Sequence, residues 1–384
     1  MKITGDWLTR PATRAVCDAL TGDGHGAWFV GGCVRDALMQ NPVGDIDIAT
    51  TARPETVIRL ARAAGLRAIP TGIDHGTITV VSGGIPHEVT TLRKDVQTDG
   101  RRAVVAFADR IEDDARRRDF TMNALYALPD GRVLDPLGGV PDLQARRVRF
   151  IEDPETRIRE DYLRILRFFR FHARFGDEGA GMDAEALAAI ALLADGIDTL
   201  SRERVGAEML KLLDTADPAP SVAAMRSTGV LSRVLPGADD TALAPLVHLE
   251  QAAGVAPDPI RRLAALGGED VGDRLRLSKA DTTELSRIRD AIGELSGAGE
   301  LGYRLGATRG RDVILLRAAM AGRPLTPGTL EEVTQGAAQV FPLRAADLMP
   351  DYSGPALGHR LAELERRWIA SGFALDRAAL LRGE

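Results

Sequence analysis

The chain has 384 residues, of which 45% are hydrophobic and 27% charged, and its formal net charge is −6. This length exceeds what one hydrophobic core usually holds, and the composition is that of a soluble globular protein, so we expect two or more domains. The negative net charge excludes a general attraction to nucleic acid, so such a partner would require a local basic surface.

The two cysteines, Cys17 and Cys33, form no CxxC pair. This argues against a zinc site or a disulfide framework and favours a reducing compartment. No apolar run approaches the roughly 20 residues of a membrane span, and the N-terminus lacks the apolar core of a signal peptide. We therefore expect a cytoplasmic protein that does not bind membranes.

The first 93 residues alternate short apolar runs with turn residues, a pattern typical of a small α/β domain. Helical periodicity covers 11–20 and 51–64, and glycine-bearing turns separate the runs that favour strands. The predicted strands are 27–30, 45–48, 66–70, 78–81 and 87–93.

Two glycines, Gly31 and Gly32, follow the first predicted strand and precede a short helix that carries Arg35. Glycines allow backbone N–H groups to approach an anion, and a helix N-terminus adds partial positive charge. Arg35, one turn into the helix, would add a full charge to the same phosphate. The turn therefore indicates a phosphate-binding site.

Asp45 and Asp47 lie two positions apart on the next strand, so their side chains share one face. Such carboxylates repel each other unless a cation lies between them, and Mg²⁺ usually takes one or two carboxylates plus substrate phosphates. A metal site beside a phosphate site suggests phosphoryl or nucleotidyl transfer. Asp-x-Asp pairs are also common on solvated loops. Glu88, on the strand 87–93, is either a third carboxylate of this site or a surface residue.

The polar segment 94–108 is interpreted as a long loop, either a functional lid or a disordered connection.

In 112–125, three acids each precede one of Arg116, Arg117 and Arg118 by four residues. That spacing is typical of helical ion pairs, and on charge pattern alone we favour this structural role over phosphate binding.

Residues 140–176 carry nine arginines against six acidic residues, a local excess of positive charge. Within them Asp161, Arg164, Arg167 and Arg170 recur every three residues, which places Asp161 and Arg164 on one ridge of a predicted helix. A solvated charged face is the commoner meaning of such a pattern. The unbroken arginine row beside one acid, with interleaved aromatics, supports a binding role instead.

From 183 onward the chain is rich in alanine and leucine and helical in pattern, with Ser201 as an expected N-cap.

Several segments resemble, in order, the motifs of the class II tRNA nucleotidyltransferase and poly(A) polymerase family. Their order and spacing together are highly specific, and they cover most of the chain, most firmly 27–176. The matching segments are Gly31-Gly32-x-Val34-Arg35-Asp36 with Asp45-x-Asp47, Arg117-Arg118-Asp119-Phe120-Thr121-x-Asn123-Ala124, Asp135-Pro136-x-Gly138-Gly139, Glu160-Asp161-x-x-Arg164 and the tail from Gly354 to Phe373.

The resemblance implies an α+β fold: a small polymerase-β-like nucleotidyltransferase head with a mixed sheet and helices, followed by an all-helical neck, body and tail. We place the head at 1–140, a helical neck with the nucleotide-selecting motif at 141–200, and a helical body and tail that bind tRNA at 201–384. The implied activity is template-independent addition of C, C and A to the 3′ end of tRNA. CTP and ATP would be the substrates and Mg²⁺ the cofactor, and no protein partner is evident.

The resemblance also implies roles for individual residues. Asp45 and Asp47 would be the catalytic carboxylates that hold Mg²⁺. Arg117 or Arg118 would reach the triphosphate, which replaces the structural interpretation for that part of the segment. The residues that would bind the incoming nucleotide are Gly31, Gly32, Arg35, Arg117, Arg118, Asp161, Arg164, Arg167 and Arg170.

The pair Asp161 and Arg164 fits the bases C and A. Both bases present an exocyclic amine beside a bare ring nitrogen, whereas U and G present a carbonyl beside a ring N–H. A carboxylate accepts from the amine and an arginine donates to the ring nitrogen. U and G would therefore be mispaired at both groups, which can support strong discrimination.

The alternatives are a poly(A) polymerase, which would share the head and take only ATP, and an enzyme that adds only CC or only A. The full-length segment between Arg93 and Arg116 argues against the CC-only form, which the resemblance associates with an altered loop there. A non-catalytic RNA-binding protein would not need Asp45 and Asp47. The chain contains no His-Asp doublet, which argues against a phosphohydrolase appendage.

Overall fold

A computed structural model describes residues 1–99, 102–177 and 179–382, without the side chains of Asp74 and 95–105. The chain forms two compact units. Unit 1 comprises Met1–Leu212 and Pro220–Val234, and unit 2 comprises Leu213–Ala219 and Leu235–Glu384. The domain boundaries predicted at 140 and 200 stay predictions.

Strands occur only in the first part of the described chain. In chain order they are β1 (Ala27–Val30), β2 (Ile46–Thr50), β3 (Arg67–Gly72), β4 (Thr77–Ser82), β5 (Ile85–Thr91), β6 (Arg93–Asp99), β7 (Arg102–Phe107), β8 (Tyr126–Ala127) and β9 (Val133–Leu134). The helices up to residue 234 are α1 (Asp6–Thr9), α2 (Pro11–Thr21), α3 (Gly32–Leu38), α4 (Pro54–Ala63), α5 (Ile111–Arg116), α6 (Gly139–Gln144), α7 (Pro154–Glu160), α8 (Leu163–Phe175), α9 (Ala184–Leu193), α10 (Arg202–Leu213), α11 (Ala219–Ser227) and α12 (Val230–Val234).

A mixed sheet forms the centre of unit 1, in the order β3-β4-β5-β2-β1-β8-β9. Strands β2 and β5 run parallel, and the other neighbouring pairs are antiparallel. Ile46 and Ile48 are buried on one face of β2, as the alternation of the sequence predicts. The parallel register places Asp47 directly opposite Glu88.

The predicted long loop at 94–108 was wrong, because β6 and β7 form an antiparallel hairpin there. The residues 103–107, Ala-Val-Val-Ala-Phe, have strand propensity, and Asp99-Gly100 is a dipeptide that favours a tight hairpin turn. The many charged residues of the segment obscured this pattern. Gly100 itself lies outside the described residues.

The arginine-rich segment was also predicted incorrectly as one helix through Asp161. Asp161 has an extended backbone (φ −157°, ψ 105°) between α7 and α8. Its side chain accepts a hydrogen bond from the N–H of Leu163 at 3.1 Å. An aspartate that binds the backbone two residues later offers an alternative to the helical hydrogen bond, which explains the break.

Phenylalanines fix α8 against the rest of unit 1. Phe120 lies 5.0 Å from Phe150 and 5.0 Å from Phe171 between ring centroids, and Phe150 stacks on Phe168 at 5.6 Å. These contacts bury the apolar side of α8. Its arginines at 164, 167 and 170 consequently lie on the opposite, partly exposed side.

The regular secondary-structure elements among the described residues of unit 2 are all helices, joined by loops. Its helices are α13 (Leu243–Ala252), α14 (Pro259–Leu266), α15 (Val271–Arg274), α16 (Lys279–Ile292), α17 (Ala298–Met320), α18 (Thr329–Ala337), α19 (Gly354–Ala370) and α20 (Arg377–Arg382). Glu250 is buried and accepts hydrogen bonds from two equally buried arginines, Arg261 at 2.7 Å and Arg262 at 2.7 Å. Among the helices of the described chain, none has both the length and the apolar character required to cross a bilayer.

Candidate active site

The glycine turn lies between β1 and α3. Gly31 adopts φ 69° and ψ −122°, a conformation that favours glycine. A Cβ atom at Gly31 would come within 3.2 Å of Nη1 of Arg118. Glycine is therefore required here both by the backbone and by the close approach of an arginine.

Arg35, on α3 after this turn, is buried. It donates from Nε to Asp36 at 2.9 Å and from Nη1 to Oδ1 of Asn123 at 2.7 Å. Its guanidinium carbon lies 4.0 Å from the ring centroid of Phe175. Burial lowers the pKa of Arg35, and the charge of Asp36 partly offsets this effect.

Two other carboxylates contribute to the electrostatic environment of Asp47. It lies opposite Glu88 on the neighbouring strand, and Asp45 occupies the bend immediately before β2. Burial, followed by the charge of Glu88, raises the pKa of Asp47 to about 6, with a further contribution from Asp45 and an opposing one from Arg118. The ionised form of Asp47 is therefore disfavoured in the folded protein, and a bound cation would stabilise it.

Asp114 anchors the two arginines predicted to reach the triphosphate. It is buried and accepts from Arg117 at 2.8 Å, from Arg118 at 2.9 Å and from the Tyr126 hydroxyl at 2.7 Å. Burial alone would raise the pKa of Asp114, but the two guanidiniums and the hydroxyl hold it well below its usual range. One acid therefore serves both arginines, whereas the sequence spacing predicted one acid for each.

Arg164 is fixed by groups that precede it in the chain. Its Nη1 donates to Glu160 at 2.5 Å and to the Arg157 carbonyl at 2.9 Å, and its Nη2 donates to the Arg117 carbonyl at 2.9 Å. These bonds use three of the five N–H groups of a guanidinium, so Nε–H and one Nη2–H remain for a ligand. Arg164 does not pair with Asp161 in the described structure.

A chain of hydrogen bonds continues from Arg35 to the arginines of α8. Asn123 donates to Asp119 at 2.9 Å, and Asp119 accepts from Nε of Arg167 at 2.8 Å. Glu208 accepts from Arg170 at 2.5 Å and lies 4.0 Å from Arg167. Both acids are buried, so Arg167 and Arg170 are each held by a buried carboxylate.

These groups line one cleft of about 530 Å³ within unit 1. The volume lies in the range of small-molecule sites. Of the residues predicted for the site, Asp47 and all the predicted nucleotide-binding residues line it, whereas Asp45 and Glu88 do not. The full lining consists of Gly31, Gly32, Arg35, Asp47, Arg93, Arg117, Arg118, Asp119, Asn123, Asp161, Arg164, Arg167, Arg170 and Phe171.

Seven arginines and three aspartates are among these lining residues, so the cleft presents an excess of positive charge. An open, cationic cleft that also contains a carboxylate of the acidic pair suits a polyphosphate that carries a metal ion.

Comparisons with known proteins identify the family to which this chain belongs. The poly A polymerase head domain matches residues 27–149, and a probable RNA- and SrmB-binding site of polymerase A matches 181–241. Mouse mitochondrial CCA tRNA nucleotidyltransferase 1 is 32% identical, and the alignment covers 96% of this chain and 88% of the mouse protein. The chain belongs to the class II CCA-adding enzyme and poly(A) polymerase family.

Other members of the CCA-adding enzyme family match in sequence and in structure. The CCA-adding enzyme of Anoxybacillus flavithermus is 40% identical over 52% of this chain and 49% of its own length, so that match spans about half of each protein. The crystal structure of the Bacillus stearothermophilus CCA-adding enzyme in complex with CTP has a TM-score of 0.74 and 28% identity, and it covers 94% of each chain. The predicted family and the predicted α+β fold class are confirmed.

Named members of the CCA-adding enzyme family are nucleotidyltransferases, a class whose chemistry generally depends on divalent metal ions. In the described part of this chain, no three His, Cys, Asp or Glu side chains form a closed metal-binding group. Carboxylates at 45 and 47 would therefore supply only part of a coordination shell, which is usual where substrate phosphates supply the rest. The hard oxygen donors and the raised pKa of Asp47 fit a hard divalent cation.

Sequence reasoning missed four residues that line the cleft: Arg93, Asp119, Asn123 and Phe171. Asp119 and Asn123 belong to a segment that resembles the CCA-adding enzyme family, but no role was predicted for them. Arg93 ends the predicted strand 87–93, and a charged residue at the end of a strand was an available signal. Phe171 was noted only as one of the aromatics interleaved with the arginines, and no local pattern indicated that it lines the cleft.

Proposed function

We propose that this protein adds C, C and A to the 3′ end of tRNA without a template, using CTP and ATP and Mg²⁺. The observation that carries the proposal is that one cleft contains a carboxylate of the acidic pair, a glycine turn, a pair of anchored arginines and the groups that fit C and A. Each of these parts serves a different portion of a nucleoside triphosphate.

The triphosphate would lie beside Gly31 and Gly32, against the guanidiniums of Arg117 and Arg118. Asp114 holds both arginines before a substrate arrives, so little side-chain freedom is lost on binding. The glycine turn leaves room for phosphate oxygens next to Arg118, where any side chain at Gly31 would intrude. This arrangement favours bidentate contacts between arginine and phosphate.

Asp47, which lines the cleft, and Asp45, in the bend before β2, would hold Mg²⁺. When bound, the metal neutralises phosphate charge and lowers the pKa of the attacking hydroxyl. The 3′-hydroxyl of the tRNA would give up its proton to solvent as its oxygen forms a bond with the α-phosphorus in line. The bond from that phosphorus to the oxygen that bridges to the β-phosphate would break, so that pyrophosphate leaves.

The base would lie at the junction of α7 and α8. Asp161 would accept from the exocyclic amine of C or A, and the remaining N–H groups of Arg164 would donate to the adjacent ring nitrogen. The same two groups would mispair with U or G, because the carboxylate would face a carbonyl and the guanidinium an N–H. This places selectivity in the protein, as template-independent addition requires.

We include a cytoplasmic location in the proposal. Cys17 and Cys33 are both buried free thiols, which a reducing compartment allows. Burial raises the pKa of each thiol to about 12, so neither is a reactive thiolate at neutral pH.

The proposal is tested by offering single nucleoside triphosphates to three tRNAs, which end before CC, after the first C and after CC. We expect CTP to add two residues to the first tRNA and one to the second, and ATP to add one residue to the third. UTP and GTP should add none, and EDTA should stop all addition. Asp47→Asn is the matched inactive control. Long tracts of A added from ATP would instead indicate a poly(A) polymerase. Binding of tRNA without any addition would refute the enzymatic proposal.

A further inference from the structure

The carboxylate of Asp161 is held by a residue that lies outside the cleft. Arg204, in the first turn of α10, donates from Nη2 to Oδ2 of Asp161 at 2.6 Å. The other carboxylate oxygen accepts from the N–H of Leu163 at 3.1 Å. The side chain of Arg204 is 44% exposed and that of Asp161 is 30% exposed, so this ion pair lies at the edge of the cleft and contributes to geometry more than to stability.

The two base-contacting groups are held by different parts of unit 1. Arg164 is bound to Glu160 and to two backbone carbonyls, whereas Asp161 is bound to Arg204. The spacing between the acceptor and the donor that meet a base is consequently set by the position of α10 relative to the junction of α7 and α8.

A second residue of α10 supports this interpretation. Glu208 lies four residues after Arg204, so the two side chains share one face of the helix. Glu208 is buried, accepts from Arg170 at 2.5 Å and lies 4.0 Å from Arg167. One face of α10 therefore fixes both Asp161 and the arginines that follow it on α8.

We propose that Arg204 is a positioning residue for base selection, which orients the Asp161 carboxylate so that its free lone pairs meet the exocyclic amine of C or A. A carboxylate has about four lone-pair sites, and Arg204 and the Leu163 N–H use two of them. This inference rests on the proposed function and adds to it a residue that does not itself contact the nucleotide.

The structure indicates what Asp161 would do without Arg204. Burial alone would lower the pKa of Arg167, but the charges of Asp119 and, more weakly, of Glu208 and Asp161 raise it above its ordinary value, so Arg167 lies within the electrostatic reach of Asp161. With Arg204 removed, the Asp161 carboxylate keeps only its bond from the Leu163 N–H, and Arg167 is then a competing cation that lines the same cleft. The carboxylate would then no longer present the acceptor geometry that separates C and A from U and G.

The test compares Arg204→Gln, Arg204→Lys and Lys211→Ala. Lys211 is an exposed basic residue two turns further along α10, so it is a matched control for the loss of one positive charge. For each protein, kcat and KM are measured with CTP, ATP and UTP on tRNAs that lack part of CCA. The inhibition constant of inorganic tripolyphosphate is measured in parallel, because it reports the phosphate site without a base.

We expect Arg204→Gln to reduce the ratio of kcat/KM for CTP over UTP by about tenfold to a hundredfold, the effect of one charge-assisted hydrogen bond. Arg204→Lys should recover part of that ratio, and Lys211→Ala should leave it unchanged. Tripolyphosphate inhibition should stay within about twofold in all variants, since Arg117 and Arg118 are held by Asp114 and not by α10.

An unchanged CTP-to-UTP ratio in Arg204→Gln, with activity reduced equally for every nucleotide, would overturn the inference and leave Arg204 a structural residue only. A wild-type protein without preference for CTP and ATP over UTP would instead overturn the proposed function itself. The two failures are therefore distinguished by the wild-type measurement.

Discussion

Replacement of Asp47 by asparagine is expected to stabilise the metal-free protein while it abolishes activity. Asp47 is partly buried opposite Glu88, and burial with the charge of that neighbour raises its pKa from 3.8 to about 6. Each unit of a pKa shift corresponds to about 1.4 kcal/mol. Above pH 6 the ionised carboxylate therefore lowers the free energy of unfolding by about 3 kcal/mol. Asparagine has the same shape and removes that cost.

The gain in stability should depend on pH with a defined sign. The folded-state pKa lies above the unfolded one, so the ionised carboxylate destabilises the fold fully above about pH 6. Between about pH 6 and pH 4 the cost shrinks, and below about pH 4 Asp47 is protonated in both states. The advantage of Asp47→Asn should therefore be present at about pH 8 and absent at about pH 4.

Urea denaturation in EDTA measures this effect. Trp7 and Trp28 lie in unit 1 and report its unfolding by fluorescence, once Trp368 of unit 2 is replaced by phenylalanine in every protein compared. The control is Asp109→Asn, which removes a carboxylate whose side chain is 83% exposed and should change stability by no more than about 0.5 kcal/mol at any pH. A destabilised Asp47→Asn, or a gain that does not vary with pH, would refute the electrostatic argument.

Two further predictions concern the phosphate and base ends of the cleft. Asp114→Asn should lower the free energy of unfolding by about 3–5 kcal/mol, because Arg117 and Arg118 lose their shared buried carboxylate. Asp113→Asn is its control in urea titrations, since that carboxylate is 36% exposed, and equal losses in both variants would contradict the role of Asp114. Asp161→Ala should lose selectivity for CTP and ATP over UTP without weaker inhibition by tripolyphosphate. A retained preference would show that the base is read elsewhere.

The sequence predicted the parts of the fold in which local pattern and burial agree. The alternation of Ile46 and Ile48 predicted a strand with one buried face, and the glycines at 31 and 32 predicted the turn before α3. The hairpin β6–β7 was missed because its charged residues outweighed the apolar run 103–107 and the Asp99-Gly100 dipeptide. Composition and strand propensity gave opposite indications there, and strand propensity was correct.

The candidate site was predictable as a set of residues but not as a set of contacts. Helical spacing placed Asp161 beside Arg164, whereas the Asp161 side chain breaks the helix and pairs with Arg204 from a distant segment. Spacing likewise gave one acid to each arginine in 112–118, whereas Asp114 binds two of them. Such choices depend on which groups are buried together in the folded chain, and spacing along the sequence does not specify that.

The most direct test of the account is a crystal structure of this protein with CTP and Mn²⁺, in which the anomalous signal locates the metal. We predict a Mn²⁺ peak within about 2.2 Å of carboxylate oxygens of Asp45 and Asp47, with the cytosine amine hydrogen-bonded to Asp161 and its ring nitrogen to Arg164. A metal peak away from these two carboxylates, or a cytosine bound outside the junction of α7 and α8, would contradict the account.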